Sequence, residues 1–278
     1  MIHESVNIEL NYEKLVLTHD DYVPTLTTYF IDNDIDTHGL RLRPTVVICP
    51  GGGYGHHSFR EGEAIAIRMN SLGYHACVLR YSLKPNSFPC QVFELACAVA
   101  YLRKNSAEYN IDPERIIVAG FSAGGHVAAS LGTMWNKDFI SKALNIPEDM
   151  LKPDAMLLAY PVITSGEFAH RGSFTNLLGD NYDKLLEFAS LENQVDEATP
   201  KTFMWHTFED GSVPLENSLL FASALRRANV EFEYHVFPKG SHGLALCTEE
   251  TNRIQNDKIQ VENACWIDMF ANWVELCL

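Results

Sequence analysis

Short apolar runs rich in β-branched and aromatic residues recur along the chain, and turn residues bound most of them. These runs predict eight β-strands: Val6–Tyr12, Leu26–Ile31, Thr45–Cys49, Ala76–Tyr81, Arg115–Ala119, Ala155–Ala159, Thr202–Thr207 and Glu231–Phe237. Apolar residues at three- and four-residue spacing predict helices between them: Glu61–Leu72, Cys90–Asn105, Ala123–Gly132, Pro214–Ala228 and Ile259–Leu276. The polar stretch 32–39, DNDIDTHG, is predicted to form a turn.

The alternation of strands and helices predicts an α/β fold with a mainly parallel eight-stranded sheet and helices on both faces. The first two strands have no helix between them, so we expect them to pair antiparallel at one edge. A single domain over 1–278 accounts for the pattern. The long connection Thr164–Pro200 interrupts it, and connections of this length are usually functional. We expect a small cap there, with a helix such as Asp183–Ser190 over the carboxyl edge of the sheet.

Composition and charge exclude several classes of protein. The chain is 46% hydrophobic and 21% charged, as is typical of a globular protein. Its net charge of −15 argues against nucleic-acid partners and anionic membrane surfaces. No apolar run approaches the roughly 20 residues of a membrane helix, and the first ten residues lack the features of a secretory signal. Seven cysteines without a CxxC pair favour a reduced protein, and we expect a cytoplasmic location.

The sequence Gly120-Phe121-Ser122-Ala123-Gly124 joins a predicted strand to a predicted helix. A serine at such a sharp turn is held in a strained backbone, and flanking glycines leave room for the turn. Its hydroxyl then projects at the amino end of the helix, where backbone N–H groups and the helix dipole favour a developing negative charge. We therefore predict that Ser122 is a nucleophile and that Ala123 supplies one N–H to an oxyanion hole.

A nucleophilic serine needs a base, which in turn needs an acid to orient it. On a strand–helix fold of this kind the expected order along the chain is Ser122, then an acid, then a histidine. Glu209 and Asp210 follow the seventh predicted strand, and Asp210 is the preferred acid because its shorter side chain is better fixed before the DGS turn. His242 follows the eighth strand between small residues and is the predicted base.

Two other histidines are interpreted as structural residues. His206 lies inside a strand and is interpreted as a packed, hydrogen-bonded residue, and His126 as a support beneath the site.

One polar cluster could be drawn as a metal site: His56, His57, Glu61 and Glu63. It lacks the HExxH pattern, so we interpret it as a polar loop that opens a helix and expect neither a metal nor an organic cofactor.

A glycine-rich loop, Pro50-Gly51-Gly52-Gly53-Tyr54, follows the third strand. A loop of this type can cradle a phosphate, but neither GxGxxG nor GxxxxGK[ST] is present. Glycines also let the backbone approach a reacting oxygen closely and turn its N–H groups toward it. We predict that Gly52 and Gly53 complete the oxyanion hole with Ala123.

Together these motifs resemble the α/β-hydrolase fold enzymes, and specifically the esterases with an HGGG-type oxyanion loop. The matching motifs are PGGGY at Pro50–Tyr54, GFSAGG at Gly120–Gly125, EDGSVP at Glu209–Pro214 and GSHG at Gly240–Gly243. The resemblance is greatest to small bacterial acetyl esterases and "sugar hydrolases", which remove acetyl groups from xylan-type carbohydrates. It implies the α/β-hydrolase fold, with Ser122 as nucleophile, His242 as base and Asp210 as orienting acid. Pro50 departs from the histidine of the lipase-like relatives, which favours the carbohydrate esterases.

The expected function is hydrolysis of short-chain carboxylic esters through an acyl-enzyme, with an acetylated sugar or oligosaccharide as the small-molecule substrate. Polar and aromatic residues of the 164–200 insertion suit such a substrate better than a long acyl chain: His170, Arg171, Phe174 and Asn176. Three alternatives stay open: a carboxylesterase of other specificity, a peptidase, and a non-catalytic ligand receptor on the same fold. The sequence also leaves open whether two copies form a homodimer.

Overall fold

The computed structural model describes residues 1–13, 15, 17, 19–33, 39–252 and 259–278. Its eight strands form one sheet in the order β1-β2-β4-β3-β5-β6-β7-β8. They are β1 Ser5–Asn7, β2 Thr25–Tyr29, β3 Arg43–Cys49, β4 His75–Arg80, β5 Ile111–Phe121, β6 Ala155–Ala159, β7 Lys201–Thr207 and β8 Phe232–Phe237. β2 pairs antiparallel with β1 and β4, and the other neighbours pair parallel. The predicted mainly parallel sheet and its antiparallel edge are confirmed.

Ten α-helices lie in the described part of the chain. They are α1 Glu63–Ser71, α2 Cys90–Lys104, α3 Ser106–Tyr109, α4 Ala123–Met134, α5 Asp138–Leu144, α6 Glu148–Leu151, α7 Arg171–Leu178, α8 Tyr182–Leu185, α9 Glu216–Arg227 and α10 Trp266–Cys277. Within those same residues, none of the helices is long and apolar enough to span a bilayer.

The sheet separates two apolar clusters because successive strand residues point to opposite faces. Val47 and Val118 belong to the cluster that packs against α2 and α4. Val46 and Ile117 belong to the other cluster, which includes side chains of α1 and α10. A strand covered on both faces is buried at every position, as β3 is along its whole length, and such strands are mostly apolar.

The parallel strands place their carboxyl ends at one edge of the sheet, and the loops that follow them meet there. The glycine-rich loop follows β3, the Ser122 turn follows β5, and Asp210 follows β7. His242 follows β8. The fold thus brings together, at the carboxyl ends of the strands, the four segments predicted to form the site.

Several predicted boundaries were wrong. The first strand ends at Asn7 rather than Tyr12, and Tyr12 instead turns inward to hydrogen-bond a buried glutamate, Glu94. The helix predicted from Glu61 begins at Glu63, because residues 59–61 form a separate 3₁₀ turn. The last helix begins at Trp266 rather than Ile259. Of the turn predicted at 32–39, residues 34–38 lie outside the described residues.

The long insertion differs most from its prediction. The helix expected at Asp183–Ser190 is a single turn, α8, and the main helix is α7, which the pattern did not predict. From α7, Asn176 Nδ2 donates to the Gly53 carbonyl oxygen over 2.8 Å. The insertion therefore contacts the glycine-rich loop, and its role as a cap stays a prediction.

Candidate active site

Ser122 sits on a strained turn between β5 and α4. Its φ of 54° and ψ of −119° lie in a region that residues other than glycine rarely adopt. The glycines on either side are required by space. A Cβ on Gly120 would lie 2.2 Å from the Gly124 carbonyl oxygen, and one on Gly124 would lie 1.9 Å from the Cys49 carbonyl oxygen. The turn is therefore available only to a GxSxG sequence, and it presents the serine at the start of the helix.

The three predicted catalytic side chains form one hydrogen-bonded chain. The Ser122 hydroxyl donates to His242 Nε2 over 2.7 Å. His242 Nδ1 donates to Asp210 Oδ2 over 2.6 Å. The Asp210 side chain is fully buried, whereas 15% of the His242 side chain is exposed. This arrangement can move a proton from the hydroxyl to the imidazole while a carboxylate holds the ring.

Asp210 is held in its ionised form by several donors. Oδ1 accepts from the backbone N–H groups of Ser212 and Val213, each over 2.9 Å. Oδ2 accepts from His206 Nε2 over 3.2 Å as well as from His242. Burial alone raises the pKa of Asp210, but the hydrogen bonds from His206 and His242 outweigh it and hold that pKa well below its usual range.

Glu209, the alternative acid, points elsewhere. Its carboxylate pairs with the Lys239 ammonium and accepts from the Gly240 N–H. The hydrogen bond from Lys239 lowers the pKa of this exposed carboxyl. The geometry therefore brings Asp210, and not Glu209, to the imidazole of His242.

The glycine-rich loop offers two N–H groups next to Ser122. The Gly51 N–H is taken by Glu61 Oε2 over 2.9 Å. Within the described ranges, no protein acceptor takes the N–H of Gly52 or Gly53. Both residues have left-handed φ angles, +125° and +61°, which glycine adopts without strain. Ala123 begins α4, and the first N–H groups of a helix have no partner within it.

Gly52, Gly53 and Ser122 line a cavity of about 270 Å³. Its lining residues are Gly52, Gly53, His56, Ser58, Arg60, Glu61, Ser122, His170, Ser212, His242 and Gly243. No aliphatic or aromatic hydrocarbon side chain belongs to that set. The volume lies just below the usual range for small-molecule sites, and the lining side chains offer hydrogen bonds.

His170, from the insertion, is one of the residues that line this cavity. Its Nδ1 accepts from the Ser173 N–H over 3.3 Å and lies 2.8 Å from Ser173 Oγ. Burial and the neighbouring His242 lower the pKa of His170. The neutral ring must then carry its proton on Nε2, because Nδ1 is the acceptor.

His126 links the glycine-rich loop to the nucleophile helix, as a support beneath the site. Its Nε2 donates to the Ala189 carbonyl oxygen over 2.9 Å, and its Nδ1 accepts from the Tyr54 hydroxyl over 2.8 Å. Burial lowers the pKa of His126 to about 4, so the ring stays neutral and keeps both bonds. Tyr54 belongs to the loop and itself has a left-handed φ of 59°.

The polar cluster of His56, His57, Glu61 and Glu63, near the start of α1, does not come together as a metal site. In the part of the chain that the structure describes, no three histidine, cysteine, aspartate or glutamate side chains are grouped to hold a metal ion. Glu61 points instead to the Gly51 N–H and to the hydroxyl of Tyr160. Neither of those contacts was anticipated from sequence.

This chain is similar to known proteins in sequence and in fold. A family profile described as BD-FAE matches residues 35–225, a span that includes Ser122 and Asp210 and ends before His242. The chain is 38% identical over 251 residues to endo-1,4-beta-xylanase B of Butyrivibrio fibrisolvens, covering 87% of this chain and 37% of that protein. It is 30% identical over 210 residues to an acetylxylan esterase of Xylanibacter ruminicola, covering 73% of this chain and 41% of that protein.

A solved structure extends the match over nearly the whole chain. The acetyl ester-xyloside bifunctional hydrolase of Caldicellulosiruptor lactoaceticus superposes with a TM-score of 0.82 at 37% identity. The match covers 98% of this chain and 96% of that one. By contrast, the chain spans only about two fifths of the length of the two relatives compared above.

Proposed function

From the premise that this chain belongs to the BD-FAE family, we propose that it is a serine esterase that removes short acyl groups, acetyl above all, from sugars or oligosaccharides. The observation that carries the proposal is the hydrogen-bonded chain Ser122–His242–Asp210, with distances of 2.7 and 2.6 Å. The names of the similar proteins, an acetylxylan esterase and an acetyl ester-xyloside hydrolase, support the substrate class.

In the proposed reaction, the Ser122 oxygen attacks the ester carbonyl carbon while His242 Nε2 takes the hydroxyl proton. Collapse of the tetrahedral intermediate breaks the bond to the sugar oxygen, which receives that proton from His242 and leaves as an alcohol. A water then attacks the acyl-serine, with His242 again as base, and releases the carboxylic acid. Asp210 holds the ring with Nδ1 protonated, which leaves Nε2 free to act as base.

The negative charge that develops on the carbonyl oxygen needs donors fixed in advance. The N–H groups of Gly52, Gly53 and Ala123 are proposed for this role, and each such donor contributes about 3 kcal/mol in comparable sites. The Gly51 N–H is engaged by Glu61, which supports Gly52 and Gly53 as the donors from this loop.

The size of the cavity and the hydrogen-bonding side chains that line it support a small acyl group on a hydroxyl-rich alcohol. A long acyl chain needs an apolar wall to replace water, whereas a sugar needs hydrogen-bonding partners. His56, Ser58 and His170 line the wall and can provide such partners. The cap role of the insertion is part of this proposal, because His170 comes from it. None of the seven cysteines, all of which lie in the described ranges, forms a disulfide, which is compatible with the cytoplasmic location that we propose.

Substrate range tests this proposal. We expect kcat/KM for p-nitrophenyl esters to be highest for acetate and to fall steadily through butyrate, hexanoate and octanoate. We also expect release of acetate from acetylated xylo-oligosaccharides. A maximum at octanoate would exclude the short-chain assignment, and cleavage of peptide p-nitroanilides in place of esters would favour the peptidase alternative.

A further inference from the structure

A buried carboxylate lies directly behind the glycine-rich loop. Glu61 is only 2% exposed, and in the described ranges no lysine or arginine forms an ion pair with it. Its two oxygens have separate partners: Oε2 accepts from the Gly51 N–H, and Oε1 accepts from the Tyr160 hydroxyl, each over 2.9 Å. Burying a carboxylate is costly unless it is well hydrogen-bonded, so these two contacts determine where it sits.

Gly51 is enclosed between this carboxylate and the nucleophile. A Cβ on Gly51 would lie 2.8 Å from Glu61 Oε2 and 2.8 Å from the Ser122 Cβ. The carboxylate thus holds the Gly51 backbone, through its N–H, directly beside Ser122. The next two residues of that loop are Gly52 and Gly53, whose N–H groups are the proposed oxyanion donors.

Tyr160 extends the connection to the histidine loop. Its hydroxyl oxygen accepts from the Ala245 N–H over 3.0 Å while its proton goes to Glu61. Its ring packs edge-on against the His242 imidazole, with ring centroids 5.1 Å apart at 74°. Burial raises the pKa of Tyr160 well above its usual value, and the Glu61 charge raises it further, so the hydroxyl keeps the proton that it donates.

The residue before Glu61 makes a parallel connection. Arg60 Nη1 donates to the Gly243 carbonyl oxygen over 2.6 Å and to the Thr251 carbonyl oxygen over 3.1 Å. One short turn, residues 59–61, thus holds the glycine-rich loop on one side and the His242 loop on the other.

We propose that Glu61 and Tyr160 are a positioning pair that fixes the oxyanion donors of the glycine-rich loop relative to His242. Neither residue takes part in bond making, and the inference rests on the proposed esterase function. Because the pair acts on the distance between groups that stabilise the transition state, its loss lowers kcat and kcat/KM together and leaves KM nearly unchanged.

The test uses the full chain and p-nitrophenyl acetate. Tyr160→Phe keeps the ring against His242 and removes only the hydroxyl. Glu61→Gln removes the charge, and its amide NH₂ group must then face either the Gly51 N–H or the Tyr160 hydroxyl, both of which donate to Glu61. The matched control is Tyr12→Phe, which removes a hydroxyl that donates to another buried glutamate, Glu94, over 2.7 Å outside the site. Each variant is assayed at a temperature at which circular dichroism shows it folded.

We expect Tyr160→Phe and Glu61→Gln to lower kcat by roughly ten- to hundredfold with KM within about twofold of wild type. Tyr12→Phe should keep the kcat of the wild type. Affinity for a boronic acid that forms a tetrahedral adduct on Ser122 should fall in step with kcat. Equal kcat values for Tyr160→Phe and Tyr12→Phe would overturn the positioning role of the pair but not the proposed esterase function. A loss of activity that follows the unfolded fraction would have the same meaning. A wild-type protein inactive on every ester would overturn the proposed function and the pair together.

Discussion

His206 Nε2 donates to Asp210 Oδ2 over 3.2 Å, and both side chains are fully buried. The same Nε2–H also points to the Val213 carbonyl oxygen at 3.0 Å, while Nδ1 accepts from the Ser218 hydroxyl over 2.8 Å. The carboxylate that orients His242 is therefore itself oriented by a second imidazole. The hydrogen bond from His206 contributes to the low pKa of Asp210.

Replacing His206 should weaken catalysis without abolishing it. His206→Phe fills a similar volume but leaves Asp210 Oδ2 with one donor fewer, so we expect kcat to fall roughly tenfold or more as the base becomes less well oriented. His206→Gln can return an N–H to Oδ2 and should recover part of the loss. Steady-state kinetics on p-nitrophenyl acetate measures both, and wild-type kcat in the Phe variant would contradict this role.

His170 should affect sugar substrates selectively. Its Nε2–H is the donor that the ring can offer to the cavity, and a lost neutral hydrogen bond weakens binding by about 0.5–1.5 kcal/mol. We expect His170→Ala to raise KM about three- to tenfold for acetylated xylo-oligosaccharides and to leave p-nitrophenyl acetate unaffected. His235→Ala, on β8, is the control. An equal change for both substrates would show that His170 does not recognise the sugar.

Glu94 is a buried acid remote from the proposed chemistry. It accepts from the Tyr12 hydroxyl over 2.7 Å and from the Ser82 hydroxyl and N–H over 2.5 and 2.7 Å. Burial raises its pKa from 4.5 to about 7, against the opposing effect of the Ser82 hydrogen bonds. Between these two pH values the unfolded chain loses the proton while the folded chain keeps it, so this group makes stability fall as pH rises.

Glu94→Gln should remove that pH dependence. A shift from 4.5 to about 7 corresponds to about 3 kcal/mol. We expect the stability of the variant relative to wild type to increase by about this amount as the pH rises from 4.5 to 8. Urea unfolding at several pH values measures the difference, and comparing the two proteins cancels the contributions of the histidines. A difference that does not change with pH would show that Glu94 has an ordinary pKa in the fold.

Much of the fold could be predicted because buried parallel strands form nearly continuous apolar runs. β6 was predicted to the residue, and β3 and β7 to within two residues. The end of edge strand β1 was not predicted correctly, because half-exposed residues give a weaker hydrophobic pattern. The insertion was predicted to contain a helix at the wrong place, since α7 is stabilised by burial of side chains such as Phe174 against the rest of the protein.

The proposed catalytic side chains could be named in advance because each follows a predicted strand at the same edge of the sheet. The contacts that hold these side chains and the glycine-rich loop in place could not be predicted from the sequence. Tyr160 and Glu61 lie 99 residues apart, and Glu61 looked like part of a polar loop. His206 was interpreted as a packed, hydrogen-bonded residue, but its partner Asp210 could not be named, since that contact depends on the path of the loop after β7. A charged residue that the sheet buries behind a loop leaves no local pattern in the sequence.

We propose above that Ser122 forms an acyl-enzyme with the acyl group of a short-chain sugar ester. The most direct measurement compares wild type and Ser122→Ala in acetate release from acetylated xylo-oligosaccharides, with p-nitrophenyl acetate alongside. We predict activity of the wild type on both substrates and a loss of at least roughly 10⁴-fold in the variant, because removal of the nucleophile leaves only the binding and oxyanion groups. Substantial activity in Ser122→Ala, or a folded wild type that hydrolyses neither substrate, would contradict the claim.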